Sequence, residues 1–95
     1  MSRDNNNVDF SLEDRVNVAI NDAFTDEVTL RYANINCSCS VVIKHRENNN
    51  FSVEYYHGDP NNPATKTEVG RFRVKGILRT LFTLGYNTTN YNTDH

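Results

Sequence analysis

Several signals that commonly reveal a protein's chemistry are missing from this chain. Its four glycines are not grouped as a phosphate-cradling loop requires. No Gly-x-Ser-x-Gly elbow occurs and no histidine has an evident acidic orienter, so nucleophilic and acid/base catalysis have no motif to stand on. There is no run of roughly 18 or more apolar residues and no secretory hydrophobic region, so neither a spanning helix nor export is marked. Cysteine is confined to Cys37 and Cys39. Two positions apart on one strand, they would lie farther apart than the roughly 5.5–6 Å Cα spacing that a disulfide prefers, which suggests reduced thiols and a cytoplasmic setting. Hydrophobic residues make up 37% of the 95 positions, below the ~45–50% of typical domains. A single domain with a thin core is expected, and a deep catalytic pocket is hard to build in one.

What the chain does have is alternation. Ile35, Cys37, Cys39, Val41 and Ile43, then Phe51, Val53 and Tyr55, place apolar side chains on every second position of two successive runs, the signature of a β-hairpin with one buried face. Glu47-Asn48-Asn49 suits the tip, because asparagine tolerates the left-handed conformation that a three-residue loop demands. Setting Arg46 opposite Asn50 then puts Ile43 opposite Val53, Val41 opposite Tyr55 and Cys39 opposite His57. Lys44, Ser52, Val42, Glu54, Ser40 and Tyr56 fall on the other face. A straight strand from Ile35 to His45 would be roughly 35 Å long, as long as the whole domain is wide, so the run must bend or break; pairing from Cys39 onward is the safer expectation.

On the N-terminal side, Ser11 followed three residues later by Asp14 starts a helix over residues 12–24, with Leu12, Val16, Ala19, Ile20 and Ala23 at helical spacing. Val28, Leu30 and Tyr32 alternate as a strand, and Ala33-Asn34 reads as a turn. Beyond the hairpin, Pro60 and Pro63 flank Asn61-Asn62 in a loop. Residues 67–73 fit a short strand, and Val74, Ile77, Leu78, Leu81 and Phe82 form the buried stripe of a last helix that Gly85 caps. The expected fold is α+β, an antiparallel sheet of three or four strands with two helices packed on one face in the order α-β-β-β-(β)-α. Residues 1–9 form a disordered lead, 10–86 the domain and 87–95 a disordered tail. The element order resembles that of the double-stranded-RNA-binding domain, but the short Ala33-Asn34 turn and the placement of basic residues ahead of the last helix depart from that family.

Charge is segregated although the net charge is only −2. Asp4, Asp9, Glu13, Asp14, Asp22, Asp26 and Glu27 crowd the first 30 residues, while Lys66, Arg71, Arg73, Lys75 and Arg79 cluster near the other end. These segments either neutralise one another across the fold or mark a bound partner. Cys37, Cys39 and His57 are the one combination that suits a metal, but their spacing matches no standard zinc pair, so no cofactor is expected. Without a catalytic set, the chain reads as a small non-catalytic binding protein that occupies a surface of a larger protein or protein–nucleic-acid complex. By analogy of size and composition, a phage or viral inhibitor of a host system would look similar. The alternative is nucleic-acid binding through residues 66–79. Candidate partner-binding residues are Arg71, Arg73, Lys75, Arg79 and Lys66 on the basic stretch and Lys44, Glu54 and Tyr56 on the outer hairpin face, and an exposed edge strand invites a homodimer.

Overall fold

The computed structural model describes residues 11–32 and 39–89. Its elements are α1 (Leu12–Thr25), β1 (Val28–Tyr32), β2 (Cys39–His45), β3 (Asn50–His57), β4 (Thr65–Gly70), α2 (Arg71–Leu84) and β5 (Tyr86–Thr88). The five strands form one antiparallel sheet in the order β4-β3-β2-β1-β5. Both helices pack on one face, giving the α+β architecture expected.

The hairpin register is the one read from its tip: Ile43 opposes Val53, Val41 opposes Tyr55 and Cys39 opposes His57. Asn48 carries the left-handed φ of 55°, and the Arg46 amide donates to the Asn50 carbonyl at 2.9 Å. Because side chains alternate along each strand, Val28, Leu30, Val41, Ile43, Phe51 and Val53 all point toward the helices and are buried. Val16, Ala19, Ile20 and Ala23 of α1 and Val74, Leu78, Leu81 and Phe82 of α2 close the core from above. The Ser11 hydroxyl caps α1 by accepting from the Asp14 amide at 3.1 Å. Gly85 ends α2 at a φ of 111°, and a Cβ there would come within 3.3 Å of the Tyr32 ring, so both conformation and space call for glycine.

Three expectations are corrected. The strand placed at 67–73 is Thr65–Gly70, and Arg71 already opens the helix; a residue such as Arg71 or Phe72 satisfies either period, and the longer 3.6-residue pattern wins. A tail is expected from Asn87, but Tyr86–Thr88 form β5 against β1 and the Thr89 amide donates to the Thr29 carbonyl at 2.9 Å; the later residues lie outside those described. Short polar residues hide a strand whose stabilisation comes from backbone pairing and from buried Tyr86. Finally, Cys39 is disulfide-bonded. The expectation assumes Cys37 and Cys39 on one extended strand, the geometry in which a bridge is disfavoured. The proposed Ala33-Asn34 turn, Cys37 and the N-terminal lead lie outside the described residues.

Candidate functional site

The eight candidate residues do not form one surface; the fold divides them among three. Arg71, Lys75 and Arg79 are spaced by four on α2 and share one side of it, turned toward α1. Arg79 Nε meets Glu13 Oε2 at 2.6 Å, and this contact holds the Glu13 carboxyl below the usual range and raises the guanidinium of Arg79. Arg71 lies 5.6 Å from the centroid of Phe24, which itself stacks near His45 and Phe51. Lys75 also lowers the Glu13 carboxyl through space. From the opposite helix, Arg15 sits 4.3 Å over the Phe82 ring and donates to Asn87 Oδ1 at 3.2 Å. Glu13 is thus where the acidic segment of the sequence meets the basic one across the helix seam.

A second group lies on the uncovered face of the sheet. The Tyr56 hydroxyl donates to Glu54 Oε1 at 2.8 Å, which raises the phenol above its ordinary ionisation range. Lys66 Nζ lies 3.5 Å from Glu54 Oε2, so each oxygen of one carboxylate has its own partner. Lys44 stands on the same face opposite Ser52. Arg46, Ser52, Glu54, Lys66, Thr67 and Glu68 line a shallow depression of about 400 Å³ here; it is polar and mixed in sign.

Arg73 belongs to the third surface. On a helix, residues two apart lie about 200° from each other, so Arg71 and Arg73 cannot share the patch that a strand would have given them. Arg73 instead lines a groove of about 640 Å³ with Phe72, Gly76, Ile77, Thr80 and Leu81. The Phe72 side chain is 92% exposed. Gly76 forms the low floor between Phe72 and Thr80, and at the end of the same ridge Leu84 is also exposed. Sequence reasoning missed this groove because Phe72 was absorbed into a strand alternation. A helical reading places it far from the Val74, Leu78 and Leu81 stripe, and a large apolar residue off the buried stripe was the available signal.

Cys39 and His57 do sit opposite each other, but the disulfide removes the Cys39 thiolate as a ligand and with it the support that free thiols lent to a cytoplasmic setting. Among the described residues, no group of three or more His, Cys, Asp or Glu side chains is placed to hold a metal ion. No helix among them is long and apolar enough to cross a membrane. Comparison with protein-family models, curated proteins and solved structures finds no match for this chain. The β4 strand between the hairpin and the last helix, and β5 after it, also separate the topology from the double-stranded-RNA-binding domain.

Proposed function

We propose that this chain is a small non-catalytic binding protein that engages a surface of a larger protein through the solvent-facing side of α2. The observation that carries this reading is Phe72, a large apolar side chain 92% exposed at the mouth of a groove whose floor is a glycine. Aromatic side chains beside small residues are what protein interfaces use as anchors, and an isolated ring in water gains nothing for the fold. The partner chemistry follows from the lining: an apolar ridge to fill the space above Gly76 and Ile77, with a carboxylate positioned for Arg73. Nucleic-acid binding through residues 66–79 has weaker support, since Arg71, Lys75 and Arg79 face the acidic α1 and Lys66 pairs with Glu54.

The test is affinity capture with the native protein and with Phe72→Ser in parallel, followed by binding of the purified candidate partner. Because Phe72 is exposed, the substitution should change stability by no more than about 0.5 kcal/mol while lowering capture at least tenfold. Equal capture by a folded Phe72→Ser variant would refute the assignment. Tight, steeply salt-dependent binding to nucleic acid, abolished by Arg73→Glu, would establish the alternative.

A further inference from the structure

β4 lies at one edge of the sheet, and its sequence is self-complementary. The Arg46 amide bonds to the Asn50 carbonyl, so the even-numbered residues of β3 direct their backbone groups to β2 and the odd-numbered ones to β4, because antiparallel hydrogen-bonded pairs recur every second residue. Phe51, Val53 and Tyr55 pair with Val69, Thr67 and Thr65. The backbone groups of Lys66 and Glu68 consequently point outward, away from β3, along the open edge. Their side chains lie on the uncovered face of the sheet, across from Glu54 and Ser52.

We propose that this edge pairs with β4 of a second copy of the chain, antiparallel and about a two-fold axis at Thr67. Outward-facing backbone groups must oppose one another, which restricts the registers. Placing Lys66 on its own equivalent, or Glu68 on its own, sets like charges directly opposite, a destabilising arrangement. The register between them sets Lys66 against Glu68 twice, exchanges both backbone bonds in each pair, and overlaps the strand along its whole length. Charge thus selects the register. Lysine alone on an edge deters pairing, but lysine and glutamate two residues apart deter strangers and accept a copy of themselves. The ion pair of Lys66 with Glu54 already orients the ammonium over the face where the second carboxylate would arrive, giving a row of alternating sign across the joined sheets. Pairing also sets the Gly70–Phe72 corner of each copy against the Ala64 end of the other strand. A strand of six residues covers less than the roughly 800 Å² per partner of stable interfaces, so the dimer is weak and depends on concentration.

Sedimentation equilibrium of the full chain between ~10 µM and ~1 mM tests this, the range in which small interfaces dissociate. A reversible monomer–dimer equilibrium is expected. Glu68→Pro removes only an outward-facing N–H and should leave a folded monomer, checked by circular dichroism. Lys66→Glu and Glu68→Lys should each be monomeric alone and form a mixed dimer when combined, at least tenfold tighter than either self-association. This mixing experiment decides the matter even if the proline variant fails to fold. A native protein that stays monomeric to ~1 mM, a dimer that survives in folded Glu68→Pro, or a pair of charge variants that does not associate on mixing would each overturn the proposal.

Discussion

Gly76 offers a test that separates folding from function at one atom. It lies inside α2, where glycine destabilises a helix by about 0.5–1 kcal/mol relative to alanine through its greater backbone freedom in the unfolded chain. Packing among the described residues gives no reason for it, because a Cβ built there meets none of them within 4 Å. Gly76→Ala should therefore stabilise the protein by about 0.5–1 kcal/mol. For a domain of this size, 1 kcal/mol corresponds to roughly 4–8 °C, so the melting temperature should rise by about 2–8 °C in a thermal scan followed by helical circular dichroism. The new methyl would stand on the groove floor between Phe72 and Thr80, where it lifts any partner backbone that approaches closely. Binding to a partner should weaken in the same variant that melts higher. A fall in melting temperature would refute the reasoning, since it would mean that the glycine serves the fold. A rise without loss of binding would remove the groove floor from the recognition surface.

Two further outcomes test the fold itself. Ser11→Ala deletes the hydroxyl that accepts from the Asp14 amide and should cost about 1 kcal/mol, read as a lower urea midpoint, with Ser11→Asp restoring most of it. Tyr86 is buried beside the Tyr55 hydroxyl, and burial first, then that hydrogen bond, push its ionisation up to about 12. Its unfolded counterpart ionises near 10. The stabilisation from the neutral buried phenol is thus complete below about pH 10 and is lost as pH rises toward 12. Urea unfolding at stepped pH should show this decline, and Tyr86→Phe should flatten it except for the share of Tyr56, whose phenol is also raised. An equally steep decline in Tyr86→Phe would show that another group controls alkaline unfolding.

How much of this was legible beforehand depended on whether one physical period acted alone. The hairpin register followed from Asn48 and strict alternation, since a shift by one residue would have turned Phe51 and Ile43 to solvent. The α1 start followed from a capping serine, and the α2 stop from Gly85. The start of α2 was hidden because its N-cap is Gly70, which makes no side-chain hydrogen bond, and because Arg71, Phe72 and Arg73 satisfy a strand alternation as well as a helix. That single ambiguity moved Arg73 onto the wrong surface and concealed Phe72. β5 was hidden for another reason: Asn87 and Thr88 bring backbone pairing to β1 but no apolar pattern. The disulfide of Cys39 is hidden from any reading that places Cys37 and Cys39 on one extended strand, and the roughly 35 Å that a straight run from Ile35 to His45 would span is the signal against that assumption.

The fate of the charges narrows where recognition can act. A chain whose acidic and basic segments stayed apart would attract partners over distances set by the Debye length, and its association would fall steeply with salt. Here Glu13 pairs with Arg79 across the helix seam, while Arg71 and Arg15 lie over aromatic rings, so part of the basic segment is held close to the fold. What faces solvent on α2 and β4 is mixed: Phe72, Leu84, Arg71 and Arg73 beside Gly76 on the helix, and a lysine and a glutamate two residues apart on the edge. Such surfaces discriminate through fit and register, by making the wrong alignment repulsive, and add little to encounter rates. The groove and the edge also lie at adjoining parts of the chain, because α2 begins where β4 ends. A second copy on the edge would hold two grooves in one assembly, so that a partner presenting two matching ridges would gain from their combined effective concentration even if each contact alone is weak.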